Sequence, residues 1–360
     1  MIRLINNHEI LLSKMESMGV ASVSWFKSYL SQREQCVEVN GKRSDFLEVT
    51  CGVPQGSILG PQLFLLYIND LSASIDCNLS LYADDSALIF AHKDPKHIVE
   101  HLSAQLTKCK GWLTDNKLSL HVGKTESILF GSNRKLKGIS GFEVTCEGSI
   151  VKQVTDVKYL GVQLSGNLNG RSHAEGLIKK CAARLSFLYR NAAMLDHVTR
   201  KTLCSALIQP YMDYCCSSWY SGLTKQLKQK LDVIQRRMVR YIFSMHHMSH
   251  VDTRNLHDLS WLSMTDRVRY FKLCHVFRIK AGTAPEYMGQ NFKPSSAVHG
   301  HFTRGSSSYN FFLSKGVADA PTSFSFTAIK EWNNLPPYLK EIASESVFKR
   351  KLKEHFLSEY

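Results

Sequence analysis

The chain has 360 residues, enough to bury a sizeable core and to hold two or three domains. Hydrophobic residues make up 44% and charged residues 21%, a balance that excludes a long disordered or low-complexity protein. The net charge of +14 excludes nothing by itself, but its distribution along the chain is uneven.

Residues 7–31 read as two helices. Leu11, Leu12, Met15 and Met18, then Trp25, Phe26, Tyr29 and Leu30, recur at helical spacing, with Gly19 as the break. Cys36, Val37 and Val39 precede Asn40-Gly41, a hairpin turn signal, and residues 46–49 supply the return strand. The breaker-rich segment 51–61 runs into Leu63, Phe64, Leu66, Tyr67 and Leu71, the apolar face of a helix. Pro61 suits its first turn, where a missing N–H costs nothing. Leu79-Ser80-Leu81 and Ala87-Leu88-Ile89-Phe90 flank Tyr82-Ala83-Asp84-Asp85 and read as strand, tight turn and strand. Residues 96–118 are helical, with Ile98, Leu102, Leu106, Cys109 and Leu113 on one face. Two short strands, 127–130 and 157–162, flank a polar connector that contains Arg134, Lys135, Lys137 and Gly138.

Beyond residue 170 the pattern is helical and basic. Leu177, Cys181, Leu185 and Leu188 make one stripe. Leu227, Leu231, Ile234, Met238 and Ile242 make another, flanked by Lys228, Arg236, Arg237 and Arg240. Residues 1–170 carry 17 Lys+Arg and 17 Asp+Glu, whereas 171–360 carry 28 against 14, so the second half holds the whole excess. A basic face of this kind is often just the solvated side of a helix, but it also suits a polyanion such as nucleic acid. Residues 283–325, with Pro285, Pro294 and Pro321, are looser, and 349–353 form a basic helix candidate. The ten scattered cysteines include no Cys-x-x-Cys pair and are expected to be reduced core thiols. The start is too short for a signal peptide, and the run Leu63-Phe64-Leu65-Leu66-Tyr67-Ile68 is too short to span a bilayer, so a soluble intracellular protein is expected.

Two adjacent carboxylates at a hairpin tip repel each other and are costly to desolvate, and a divalent cation removes that conflict. Magnesium is held by one or two carboxylates plus substrate phosphates, so Asp84-Asp85 has the make-up of half a phosphoryl-transfer site. Asp-Asp is also good turn chemistry, and the dipeptide alone does not choose between the two.

The wider sequence does choose. Gly52-Val53-Pro54-Gln55-Gly56-Ser57-Ile58-Leu59-Gly60-Pro61-Gln62-Leu63-Phe64 and then Leu81-Tyr82-Ala83-Asp84-Asp85 resemble motifs B and C of the reverse transcriptases of non-LTR, LINE-type retrotransposons, in particular the jockey-like groups. Asn116-Lys117-Leu118-Ser119-Leu120 with Lys124-Thr125 resembles motif D, and Tyr159-Leu160-Gly161-Val162 resembles motif E. Trp332-Asn333-Asn334-Leu335-Pro336 with Phe348-Lys349 resembles the region common downstream of such domains, so the likeness covers nearly the whole chain.

This resemblance implies an α+β fold. Residues 1–166 would be part of a polymerase palm, an antiparallel sheet with packed helices; 167–250 a basic all-α thumb; and 251–360 a basic helical C-terminal region. It implies RNA-directed DNA synthesis on an RNA template and a DNA primer with deoxynucleoside triphosphates. Asp84 and Asp85 would be catalytic ligands of Mg2+, with Mn2+ as a substitute. Pro54, Gln55 and Gly56 would lie beside the incoming nucleotide and template base, and Tyr82 and Ala83 near the primer end. Lys124 would protonate the leaving pyrophosphate as a general acid, although a surface lysine before Thr125 fits the sequence as well. Tyr159, Leu160 and Gly161 would support the primer, and Lys228, Arg236, Arg237 and Arg240 would track the phosphate backbone.

One departure matters for activity. The family's third carboxylate lies in motif A, within a segment such as Asp-x-x-x-Ala-Phe-Asp just before Asn-His. Here Asn7-His8-Glu9-Ile10-Leu11-Leu12 resembles the residues immediately after motif A, and residues 1–6 contain no acid. The resemblance places the motif A aspartate and the fingers before Met1, so the chain is expected to be truncated relative to the family and inactive by itself. Glu9 lies past the motif A strand and Asp70 sits late on the motif B helix; neither these nor Asp45 is expected to substitute. The alternative is a non-catalytic nucleic-acid binder that uses residues 171–360.

Overall fold

The computed structural model of the chain describes residues 2–3, 7–54, 56–298, 309–314 and 320–360. It is a mixture of helices and small sheets, and contacts divide it into two compact units, Met1–Thr155 and Asp156–Tyr360.

Among the described residues the first unit is built on four longer helices: α1 (His8–Ser17), α2 (Val23–Leu30), α3 (Leu59–Ile68) and α4 (Pro95–Asp115). Their starts follow from local chemistry. The Asn7 side chain accepts from Ile10 N at 3.1 Å, and Asp94 accepts from Lys96 N at 3.0 Å just before Pro95. Gly19, at φ +79°, lets the chain turn between α1 and α2. Leu11, Met15, Leu30, Leu63, Tyr67, Leu71 and Leu113 are buried together in the main core. A second cluster joins Ile98 and Leu106 of α4 to Phe142, Val144, Cys146 and Val151. The hairpin of β1 (Asn78–Tyr82) and β2 (Asp85–Ile89) packs Leu79, Leu81 and Leu88 against the main core.

Among the described residues the strands pair only two by two, and the sheet pieces are small. Most pairs are antiparallel, but Lys152–Gln153 runs parallel to Glu126–Ser127. The strand expected over 127–130 is therefore reduced to its first residue, because only the Glu126–Ser127 backbone has a partner strand. The strand expected over 157–162 is corrected more sharply. It is a hairpin, β3 (Asp156–Tyr159) and β4 (Val162–Ser165), folded at Leu160-Gly161. Gly161 at φ +82° and Leu160 at φ +45° reverse the chain where Val157, Tyr159, Leu160 and Val162 suggested continuity.

Among the described residues the second unit contains that hairpin and six longer helices: α5 (Arg171–Arg190), α6 (His197–Leu207), α7 (Lys225–Ile242), α8 (Met264–Lys280), α9 (Phe324–Asn333) and α10 (Glu345–Ser358). Both apolar stripes read from sequence are buried: Leu177, Cys181, Leu185 and Leu188 on α5, and Leu227, Leu231, Ile234, Met238 and Ile242 on α7. α8 joins two cores. Met264 and Val268 pack with α5 and α7, while Leu273, Val276 and Phe277 pack with Trp332, Phe348, Leu352 and Phe356. Phe277 stacks on Phe348 at 4.6 Å between ring centroids. Burial pushes the thiols of Cys204 and Cys216 up to about 12, so they behave as core residues rather than nucleophiles.

Candidate active site

The tip of the β1–β2 hairpin is tight. Five residue pairs run from Asn78 opposite Ile89 to Tyr82 opposite Asp85, which leaves Ala83 and Asp84 as the two turn residues. Ala83 takes the left-handed conformation, φ +50°, that a two-residue hairpin turn requires at its first position. Asp85 is thus the first residue of β2, not part of the turn, and as a cross-strand pair it shares a face with Tyr82. Asp84 is half-buried, Asp85 is exposed, and Tyr82 is 65% exposed. The arrangement offers two carboxylates from successive residues beside an open aromatic ring. One divalent cation fits such a pair when water or phosphate oxygens complete its shell. No group of three or more His, Cys, Asp or Glu suited to hold a metal ion occurs among the described residues.

The loop before α3 is shaped by its own polar atoms. Ser57 Oγ donates to Pro54 O at 2.8 Å and accepts from Gly60 N at 3.0 Å. Gly56 turns the chain at φ +80°. A Cβ on Gly60 would sit 3.0 Å from Pro54 O and 3.1 Å from Ser57 Oγ, so only glycine lets α3 begin this close beneath the loop. Gln55, expected beside the nucleotide, lies outside the described residues. His8 Nε2 lies 2.8 Å from Gly52 O, which ties α1 to the start of the loop.

Other expected residues fall elsewhere. Lys124 is exposed on the one-turn helix Val122–Lys124, on a different segment from the tip. Asp70 is committed to Lys14, whose Nζ donates to its carboxylate at 2.6 Å and to Tyr67 O at 2.8 Å. Glu9 and Asp45 are exposed on α1 and on the segment after the 38–43 hairpin. Tyr159, Leu160 and Gly161 belong to the second unit, where Tyr159 closes β3 opposite Val162.

The four basic residues of α7 do not form one free face. Arg236 is exposed. Lys228 is half-buried, with its ammonium 5.0 Å from the centre of the Tyr220 ring. Arg240 Nε donates to Ser249 O at 2.8 Å, and Arg237 is half-buried. A basic surface missed in the sequence lies on α5, where Lys179, Lys180 and Arg190 are exposed. Its one acid, Glu175, is paired with Arg171 at 2.9 Å. The count of charges pointed to this half of the chain, but not to this helix. No helix among the described residues is long and apolar enough to cross a membrane.

Residues 7–164 match the family described as reverse transcriptase (RNA-dependent DNA polymerase). The chain is also similar to the RNA-directed DNA polymerase from mobile element jockey of Drosophila funebris, 26% identical over 249 residues, covering 65% of this chain and 26% of that protein. It is 27% identical over 254 residues to the probable RNA-directed DNA polymerase from transposon BS of Drosophila melanogaster, covering 65% and 27%. The corresponding protein from transposon X-element of the same fly is 25% identical over 224 residues, covering 60% and 24%. The chain thus spans about a quarter of the length of these curated relatives.

Proposed function

We propose that this chain, whose residues 7–164 are a reverse transcriptase domain of the non-LTR, jockey-like kind, is the palm and thumb portion of an RNA-directed DNA polymerase. Its partners are an RNA template, a DNA primer and deoxynucleoside triphosphates. The observation that carries this reading is the tip, where Asp84 and Asp85 stand on successive positions of a hairpin held to the core by three leucines. Asp84 and Asp85 would hold a divalent cation, magnesium, which neutralises phosphoryl charge when bound. Tyr82 and Ala83 stand by the primer end, and Pro54 and Gly56 offer backbone to the nucleotide. Lys124 is the proton donor to pyrophosphate, and the turn at Tyr159, Leu160 and Gly161 supports the primer. The second unit holds phosphate backbone through Arg236, Lys228 and Arg237, together with the basic surface of α5, while Arg240 is engaged with Ser249 O.

Two carboxylates are fewer ligands than a pair of ions needs. These 360 residues are therefore proposed to bind primer–template without extending it. Fluorescence anisotropy with an RNA–DNA primer–template, paired with a magnesium-dependent extension assay, tests both halves. Binding that weakens steeply with salt, without extension, is the expected result. Extension that disappears in Asp84→Asn would overturn the proposed inactivity. Absence of binding at low salt would overturn the reading itself.

A further inference from the structure

The β3–β4 turn is gripped from two sides by residues far along the chain. Tyr214 Oη donates to Leu160 O at 2.6 Å. The same ring lies on Gly161: a Cβ there would sit 3.3 Å from Tyr214 Cε1. Leu160 holds φ +45°, a conformation uncommon for a branched residue without outside support. Tyr214 is itself fixed. It lies between the short helices Gln209–Asp213 and Cys216–Trp219, with its N–H on Pro210 O at 3.0 Å and its carbonyl accepting from Trp219 Nε1 at 2.9 Å. The adjacent Asp213 is clamped by both Nε and Nη2 of Arg267 on α8.

Trp219 carries the brace to the other side of the hairpin. It is buried, and its carbonyl is so close to Gly170 that a Cβ there would come within 2.5 Å. Its ring centroid is 5.1 Å from that of His173 on α5. His173 Nδ1 in turn accepts from the N–H of Gln163 on β4 at 3.3 Å. The path from the turn to Tyr214, Trp219, His173 and back to β4 is closed.

We propose that Tyr214 is a positioning residue for the primer end: through Leu160 and Gly161 it fixes the height of the β3–β4 turn, and Trp219 and His173 hold it in register. This rests on the reading of that turn as the primer support. Tyr214 is half exposed, so the Phe variant removes the hydroxyl at little structural risk, while Gly161→Ala displaces the ring from the opposite side.

Two measurements on the full chain separate the parts. Amide hydrogen exchange across residues 159–163 of the free protein reports the grip. The ratio of affinities for an RNA–DNA hybrid with a recessed DNA 3′ end and for a blunt-ended hybrid reports primer-end recognition. Both variants are expected to speed exchange at the turn. They are also expected to lower the recessed-to-blunt preference, roughly fivefold for Tyr214→Phe, the size of one hydrogen bond. Blunt-end affinity of Tyr214→Phe stays as in the parent, which a merely structural role would not allow, while melting temperature falls modestly in both variants, through the lost hydrogen bond in one and strained Ala at φ +82° in the other. Unchanged exchange in Tyr214→Phe overturns the positioning role, whatever the affinities do. Faster exchange combined with no recessed-end preference in the parent protein overturns the primer-support reading, and with it the proposal.

Discussion

Tyr67 is buried in the first unit with its hydroxyl between two backbone groups, 3.4 Å from Asn7 N and 2.5 Å from Asn116 O. Burial raises its pKa, so the hydroxyl stays protonated and donates to Asn116 O. Tyr67→Phe leaves both backbone groups without this partner and is expected to cost about 1–2 kcal/mol in urea unfolding. His173 offers a second test. Burial, then the charge of Lys180, lowers its pKa, so the folded protein holds it neutral. The unfolded chain takes up a proton below about pH 6.5 where the folded one does not. Its contribution is therefore complete above that pH and is lost as pH falls toward the folded value. His275, lowered chiefly by burial, acts in the same direction. His173→Gln is expected to flatten part of the acid loss in melting temperature between about pH 7 and 5. At this scale the sequence revealed Asp84-Asp85, because both acids are neighbours in the chain. It hid Tyr67 and Tyr214, whose hydroxyl partners lie 49 and 54 residues away.

Helices were the most readable elements, because each buries one stripe and periodicity reports that directly. α7 shows this in full: all five of its stripe residues are buried. Strands were harder. Many paired segments are only two residues long, too short for alternation to register. The β3–β4 turn was hidden because Leu160 is an apolar residue where turn chemistry would favour Asn, Asp or Gly, and Tyr214 supplies from outside what the local sequence lacks. Side chains that tie elements together were equally illegible. Lys272 of α8 is buried, with Nζ 2.9 Å from Ser221 Oγ and 3.3 Å from Glu331 Oε1 of α9. Burial lowers its pKa and the Glu331 charge opposes that shift. Lys272→Met strands the Glu331 carboxylate against α8 and is expected to destabilise the protein by about 3 kcal/mol. Adding Glu331→Leu should recover most of that loss. A double variant no more stable than Lys272→Met in chemical denaturation would show that packing, not charge, holds α8 to α9.

Across the whole molecule, charge and chemistry are segregated along the chain. The carboxylate tip lies in the neutral half, and the net excess of Lys and Arg lies beyond residue 170. Phosphate binding should therefore be governed by the second unit, and its salt dependence distinguishes contacting residues from structural ones. Each Lys or Arg that neutralises a phosphate adds about 0.7–0.9 to the slope of log affinity against log salt. Lys179 and Lys180 are exposed on α5, so replacing both with Gln is expected to reduce that slope by roughly 1.5 and to weaken binding uniformly across sequences. Arg240 is the contrast, because its Nε is engaged with Ser249 O and its charge serves the fold. Arg240→Gln should leave the slope unchanged and lower the melting temperature instead. The reverse result, a slope that moves with Arg240 and ignores Lys179 and Lys180, would place the nucleic acid against α7 and away from α5.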